Sequence, residues 1–107
     1  MGMKDVFINL VGGLKVDDPA ADLSILCAIS SSFMDKPIDE NIVFMGEIGL
    51  AGEVRSISRL GHRLSEVMAL GFSGAIVPAA SMNDKIKKSK LEIYPVNSVK
   101  ETFDILF

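Results

Sequence analysis

Basic side chains form two groups in the sequence, and a phosphate is the kind of ligand that such groups could bind. The first group consists of Arg55, Arg59 and Arg63. The last two lie one helical turn apart, so all three could share one positive surface. The second group is a lysine-rich segment with Lys85, Lys87 and Lys88, followed by Lys90. Aromatic residues are not interleaved with either group, so the pattern is only a weak indication of nucleic-acid binding, and a solvated charged face explains it as well.

Two carboxylates flank a glycine-rich stretch. Gly46, Gly49 and Gly52 recur every three residues between the apolar residues 42–45 and residues 54–57. We expect these two runs to be the strands of a hairpin, with glycine where the turn needs positive φ or close backbone approach. Glu47 and Glu53 flank this turn, and Glu47, where a strand ends, could bind a neighbouring backbone group, face another subunit or simply be solvated.

Several classes of site are excluded by the residues that the sequence lacks. Cys27 is the single cysteine and His62 the single histidine, so one chain can form neither a disulfide nor a cysteine-based or histidine-rich metal site. We interpret His62 as a surface residue of a helix. Phosphate-binding loops of the G-x-x-x-x-G-K-[ST] and G-x-G-x-x-G types are absent, as is the G-x-S-x-G elbow of serine hydrolases. We therefore expect no cofactor in this domain.

The composition predicts one folded domain. The 107 residues are 49% hydrophobic and 23% charged, which is enough apolar material for a core. The net charge of −3 excludes a general attraction to nucleic acid, so any such contact must be local. The sequence contains neither a membrane-length apolar run nor a signal peptide, and we expect a cytoplasmic protein without membrane contact. We interpret residues 3–107 as one domain of a longer protein and Met1-Gly2 as a cloning remnant.

Local patterns predict an alternation of strands and helices. Residues 6–11 are expected to form a buried strand, followed by a turn at Gly12-Gly13 and a short return strand over residues 14–16. Asp18 and Pro19 are typical N-cap and N1 residues for a helix over residues 20–33, which is apolar nearly all round and should be buried on most sides. Asp22 in its first turn is interpreted as a half-exposed charge.

The second half of the chain continues this alternation. A helix over residues 59–70 should end at Gly71, with Arg63 and Glu66 paired on its wet side and Leu60, Leu64, Val67 and Met68 on its apolar side. Two strands over residues 74–78 and 91–96 and a last helix over residues 99–106, capped by Ser98, should follow. The pattern favours an α/β (α+β) domain with a mixed, partly parallel sheet packed with helices.

The glycine-rich stretch is also part of a longer resemblance. Gly46-Glu47-Ile48-Gly49-Leu50-Ala51-Gly52-Glu53-Val54-Arg55 is similar to the G-E-[IV]-x-L-x-G-x-[VI] signature of the Lon proteolytic domain. Three further segments are similar, in order, to the Lon-like C-terminal domain of the bacterial RadA-type (Sms) DNA repair proteins: residues 5–13, Pro19-Ala20-Ala21-Asp22-Leu23 and residues 70–78. The resemblance covers essentially the whole chain. It implies a Lon proteolytic-domain-like fold, also called ribosomal protein S5 domain 2-like.

The resemblance further implies that the catalytic groups of Lon are missing. Lon-type peptidases use a serine nucleophile and a lysine base. The serine position in the P-S-A-G run of Lon corresponds to Ala20, and the lysine position in its G-G-L-K run corresponds to Gly61. Neither residue can attack a carbonyl or accept a proton. Ser24 follows Ala20 by one helical turn, but no lysine is placed to activate it, so we expect no peptidase activity.

What the resemblance implies about function is therefore structural and linked to DNA. RadA-type proteins join a zinc finger, an ATPase and this domain into hexameric rings that drive branch migration in recombination. ATP, Mg and Zn are then expected only in a preceding part of the protein, DNA and a recombinase or helicase are expected partners, and the excised domain could be monomeric. The residues expected to contact DNA or a neighbouring subunit are Arg55, Arg59, Arg63, Lys85, Lys87 and Lys88. The alternatives are a Ser–Lys peptidase and an interaction module that does not bind DNA.

Overall fold

Helices and strands alternate along residues 18–107, which are the residues that a computed structural model of the protein describes. The strands and turn predicted within residues 6–16 lie outside them. A 3-10 turn (Pro19–Ala21) leads into α1, and a second one (Ala79–Ser81) follows β4. In chain order the elements are α1 (Asp22–Met34), β1 (Ile42–Phe44), β2 (Glu47–Ile48), β3 (Val54–Arg55), α2 (Leu60–Ala69), β4 (Gly74–Pro78), α3 (Asp84–Lys87), β5 (Glu92–Val96) and α4 (Val99–Leu106).

Within the described residues, a parallel three-stranded sheet forms the centre of the fold. Its strand order is β1-β4-β5, with Phe44 opposite Ile76 and Ile76 opposite Tyr94. Every residue of β4 is buried, as expected for a central parallel strand that is covered on both faces. Side chains of successive residues point to opposite faces of the sheet. Ala75 and Val77 therefore pack with α2 and α3, whereas Ile76 packs with α1 and α4. The predicted α/β class is confirmed.

The predicted hairpin is partly wrong. Its lead-in strand β1 pairs with β4 in the parallel sheet, and only β2 and β3 form an antiparallel pair. The chain leaves the parallel sheet at Met45, whose N–H donates to the Ile76 carbonyl over 2.9 Å, and enters the hairpin after Gly46. The strands within residues 18–107 thus form two separate sheets. The sequence signal is the same in both cases, because glycine marks a crossing between sheets as well as a turn.

The start of the first helix follows the sequence, but its burial does not. Asp18 Oδ1 accepts a hydrogen bond from the Ala20 N–H over 2.9 Å, and Pro19 occupies the first position of the 3-10 turn. The predicted burial on most sides is wrong for the second half of α1. Ile29 is 46% exposed and Phe33 is 90% exposed, whereas Leu23 is completely buried.

The bounds of α2, β4, β5 and α4 match the prediction closely, because their ends carry local signals, whereas α3 was not predicted. Gly71 has a φ of +95° just beyond α2, where a left-handed residue ends a helix. The Ser98 side chain accepts a hydrogen bond from the Glu101 N–H and caps α4. One difference is Met68, which was predicted on the apolar side of α2 but is 40% exposed. None of the helices within residues 18–107 is long and apolar enough to cross a membrane.

Candidate functional site

The start of α1, the crossover at Gly46 and the β2–β3 hairpin meet in one interlocked region. We call this region the Gly46 seam and define it by Ala20, Leu23, Gly46 and Val54. The Gly46 N–H donates to the Ala20 carbonyl over 2.9 Å, and its carbonyl accepts from the Leu23 N–H over 3.0 Å. A Cβ atom at Gly46 would lie 2.7 Å from Val54 Cγ1. Only glycine therefore allows the backbone of the crossover to lie this close to the hairpin.

Asp22 ties the first turn of α1 to the edge of the hairpin. Ile48 lies opposite Val54 in the β2–β3 register, and the Val54 N–H donates to Asn97 instead of to β2. The Ile48 N–H likewise points away from β3, and Asp22 Oδ2 accepts it over 3.2 Å. Asp22 is half-buried, as the sequence suggested, but its bond to Ile48 is a contact that local sequence reasoning missed.

The two positions that the resemblance equates with a Ser–Lys dyad lie on elements that an ion pair joins. Ala20 is 2% exposed, and Gly61 is the second residue of α2, where an added Cβ atom would meet open space. Arg63 Nη1 donates to Asp18 Oδ2 over 2.9 Å, and its Nε donates to the Ser58 carbonyl over 2.9 Å. The segment just before Ala20 is thus held against the first turn of α2 by a partly buried salt bridge.

The electrostatics of this pair favour the ionised carboxylate. The pKa of Asp18 lies below its usual value, first because its side chain accepts the Ala20 N–H and second because Arg63 donates to it. Asp18 and Arg63 are 45 residues apart in the chain, and no short-range pattern could have revealed their contact.

Ser24 is the serine nearest to these positions on α1, and its hydroxyl is engaged. Its side chain is completely buried, and Oγ donates a 2.5 Å hydrogen bond to the Phe44 carbonyl. The bond ties α1 to the backbone of β1. A hydroxyl in this position supports the packing of α1 on the sheet and does not face solvent.

The hairpin turn is closed by its own glutamate. The Glu53 carboxylate accepts the Ala51 N–H over 3.0 Å and lies 3.5 Å from Arg55 Nη2. The pKa of Glu53 is lowered, first by its own backbone N–H and then by that of Ala51. A Cβ atom at Gly49 would overlap this carboxylate. This contact of Glu53 with a backbone amide was not predicted from the sequence.

The three arginines are not equivalent. Arg55 pairs with Glu53, and Arg63 is partly buried against Asp18, although the sequence placed it on the wet side of α2. The predicted Arg63–Glu66 pair is wrong, because Glu66 lies 3.1 Å from His62 Nε2 instead. Arg59 is exposed and precedes α2 with a φ of +58°. Two of the three charges expected to form one positive surface are therefore matched by carboxylates.

The three candidate lysines are brought together on and beside α3. Lys85 and Lys87 lie within this short helix, Lys88 follows it, and all three are exposed. Ile86 between them is buried in the core with α2. The structure thus gathers the lysines on the solvent side of one anchored turn.

The titratable groups of residues 18–107 form no cluster of three or more histidine, cysteine or acidic side chains that could hold a metal ion. Cys27 is buried within α1, and burial raises the pKa of its thiol to about 12. A thiol of this kind stays protonated at neutral pH and is a poor ligand or nucleophile.

Comparison with known proteins shows that the chain is similar to a part of bacterial DNA repair proteins. It is 42% identical over 98 residues to DNA repair protein RadA of Bacillus subtilis, with 92% of this chain and 21% of the relative covered. It is 40% identical over 105 residues to DNA repair protein RadA of Escherichia coli, with 98% and 23% covered. The Aquifex aeolicus RadA is 38% identical over 104 residues. The predicted resemblance to RadA is confirmed, and the chain spans only about a fifth to a quarter of these relatives.

A family assignment follows from a second comparison. Residues 1–81, which are most of the chain, match the family described as ChlI, subunit ChlI of Mg-chelatase. The chain therefore belongs to the family described as subunit ChlI of Mg-chelatase, and nearly all of it is similar to a segment of DNA repair protein RadA.

Proposed function

We propose that this chain is a non-catalytic, Lon-like domain of a RadA-type DNA repair and recombination protein. It acts as a scaffold for assembly of the parent protein and contacts DNA during branch migration in the bacterial cytoplasm. The ATP, Mg and Zn chemistry belongs to other parts of the parent. The similarity to DNA repair protein RadA over nearly the whole chain supports the assignment to DNA repair.

The observation that carries the non-catalytic role is the identity of the residues at the two positions that correspond to the Ser–Lys dyad. A Ser–Lys peptidase needs a hydroxyl and a neutral amine within hydrogen-bond reach of each other. The corresponding positions here carry the buried methyl group of Ala20 and the hydrogen of Gly61. Nearby, the Arg63 guanidinium is paired with Asp18, and a guanidinium is not a general base at neutral pH. The region is organised to hold elements together.

A peptidase assay tests this role. We expect no cleavage of an unfolded protein substrate above a blank, with or without added ATP and Mg. The decisive variant is Ser24→Ala, which removes the one serine close to the dyad positions on α1. Sustained cleavage by the unmodified 107-residue chain that disappears in Ser24→Ala would overturn the proposal.

The variant needs a folding control, because Ser24 donates to the Phe44 carbonyl inside the core. Loss of such a bond costs about 1 kcal/mol and leaves a buried carbonyl without its partner. The assay temperature should therefore lie well below the midpoint of thermal unfolding of the variant, measured by circular dichroism.

The scaffold role is tested by mass. We expect sedimentation velocity to give a monomer for the 107-residue chain and a hexamer for the full-length parent. The domain gains effective concentration from the rest of the parent, so weak contacts suffice in the ring. Deletion of this domain from the parent should lower the hexameric fraction, and an unchanged hexamer would contradict the scaffold role.

A further inference from the structure

The lysine-rich turn has a fixed orientation, because its one apolar residue is anchored in the core. Ile86 is buried among side chains of α2 and β4. Successive residues of a helix are separated by about 100°, so Lys85 and Lys87 flank the buried direction and Lys88 points nearly opposite to it. Lys85 and Lys88 are also three residues apart, which makes them neighbours on one face. Lys85 and Lys87 therefore lie on the two flanks of the turn, about 160° apart, and Lys88 lies between them on the side away from Ile86.

Hydrogen bonds hold the backbone of this turn at both ends. Asn83 Oδ1 accepts the Ile86 N–H over 2.9 Å, and Ser89 Oγ accepts the Leu91 N–H over 3.2 Å. Leu91, just beyond the turn, is buried in the same cluster as Ile86. Binding a ligand here requires ordering of lysine side chains but not of the backbone, which lowers the entropic cost of association.

The charges of this turn are not neutralised within the described part of the chain. The ion pairs among residues 18–107 involve Arg55, His62 and Arg63, and none involves a lysine. Residues 84–90 contain four lysines and a single acid, Asp84. In a protein with a net charge of −3, this segment is a local positive surface.

We infer that Lys85, Lys87 and Lys88 bind the phosphodiester backbone of DNA without reading its sequence. This inference rests on the proposed function and names the surface through which the domain contacts DNA. Lysine interacts with phosphate as a point charge, and the turn carries neither arginine nor an aromatic side chain that would pair or stack with bases. Arg55 and Arg63 have structural roles instead, since each is matched by a carboxylate.

A salt series tests the number and the place of the contacts. Fluorescence anisotropy of a labelled duplex should show that log affinity of the chain falls with log salt concentration, with a slope of about −2.7 for three phosphate contacts. The triple variant Lys85→Gln, Lys87→Gln, Lys88→Gln should have a slope near zero. Two duplexes of unrelated sequence should bind equally, because backbone contacts carry no base information.

A matched triple variant separates the local surface from the net charge. Arg55→Gln, Arg59→Gln, Arg63→Gln changes the net charge by the same amount but leaves the lysine turn intact. Its slope should stay close to that of the unmodified chain, because the proposed phosphate contacts are the three lysines. Thermal unfolding of both variants checks that each is folded, since Arg63→Gln breaks the pair with Asp18.

The possible outcomes separate this inference from the proposed function. A slope lost in the arginine variant and kept in the lysine variant would overturn the inference and leave DNA contact in place. Binding that is unchanged in both variants would do the same. If the unmodified 107-residue chain binds no duplex even at low salt, both the inference and the DNA-contacting role fail. The non-catalytic role is judged by the peptidase assay alone.

Discussion

The two halves of α1 contain the same kinds of apolar residue but lie in opposite environments. In the first half, Leu23 and Cys27 are completely buried against the parallel sheet and the hairpin. In the second half, Ile29 and Phe33 reach solvent. Both halves contain large apolar residues, although Ser30, Ser31 and Ser32 make the second half more polar. The first half differs because backbone bonds to Gly46 fix the crossover and the hairpin against it.

This contrast shows that burial in α1 is decided by what the rest of the chain brings to it. The Gly46 seam brings β2 and β3 over the first turns of the helix, and α4 packs on the same side through Phe103. Apolar residues can occur on a protein surface without a specific role. Truncation of a large apolar side chain to alanine should therefore have different effects in the two halves.

Truncation at the two ends of α1 should give the largest difference in stability. Leu23→Ala removes a completely buried side chain beside the seam, and we expect a loss of about 2–5 kcal/mol in the free energy of unfolding. Phe33→Ala removes a larger side chain that is mostly in solvent, so its effect should stay within about 0.5 kcal/mol. Urea unfolding of both variants measures the difference. Similar losses would show that the second half of α1 is covered in solution.

A methyl group at the crossover should produce the next largest effect. Gly46→Ala places Cβ 2.7 Å from Val54 Cγ1, and both residues are held by backbone bonds, so we expect a loss of about 1–3 kcal/mol. The control is Gly61→Ala, whose Cβ meets open space inside a helix and should stabilise the protein by about 0.5–1 kcal/mol. Opposite signs in thermal unfolding are expected. A neutral Gly46→Ala would mean that the hairpin can move away from α1.

The sequence predicted those parts of the fold whose signals are local. The bounds of β4 and α4 and the end of α2 follow from an apolar run, from the Ser98 cap and from Gly71, each within a few residues of the element that it defines. The pairing of β1 was wrong because its partner β4 lies about thirty residues further along the chain. A β-branched run before glycine reads alike in a hairpin and in a sheet crossover.

For the candidate site, too, local sequence signals predicted the location, but they did not predict the long-range contacts. Its neighbourhood was found from the glycine-rich stretch, because Gly46 does contact the start of α1. The equivalence of Gly61 to a lost lysine came only from the resemblance. Spacing suggested that the arginines share one surface, but the carboxylates that pair with two of them depend on the folded geometry, and that of Arg63 lies 45 residues away.

The titration of the Cys27 thiol measures the burial of the first half of α1. Because burial raises its pKa from 9.0 to about 12, the folded state keeps the thiol protonated where the unfolded state ionises. Its contribution to stability is complete below pH 9 and is lost between pH 9 and 12, at about 1.4 kcal/mol per pH unit. We expect urea unfolding between pH 8 and 10 to show a loss about 1 kcal/mol larger than in Cys27→Ala.

A cysteine in the exposed second half of α1 is the matched control for Cys27. In the Cys27→Ala background, Phe33→Cys places a thiol where the native side chain is 90% exposed. This thiol should react with a disulfide reagent at the rate of a free cysteine, whereas Cys27 in the parent chain should react only as fast as the protein unfolds. Equal rates would contradict the difference between the two halves.

The Asp18–Arg63 pair should give the smallest effect, and a double-mutant cycle can isolate it. Asp18→Asn keeps an acceptor for the Ala20 N–H, so the cycle with Arg63→Gln reports on the charge pair. With side chains 29% and 19% exposed, the pair should contribute less than about 1 kcal/mol at neutral pH. The more exposed Arg55–Glu53 pair, at 3.5 Å, is the control and should show coupling near zero.

The coupling energy between Asp18 and Arg63 should decrease at low pH. The pKa of Asp18 is lowered in the folded state from a usual value of 3.8, so its contribution is present above pH 3.8 and is lost as the pH falls through the lower, folded-state pKa. High salt should weaken the coupling only in part, because the pair is partly buried. Coupling that disappears fully in salt at neutral pH would show that the pair is an ordinary surface contact. The segment before Ala20 would then have no charge pair that holds it to α2, and the burial of the first half of α1 would depend on Gly46 and its hydrogen bonds.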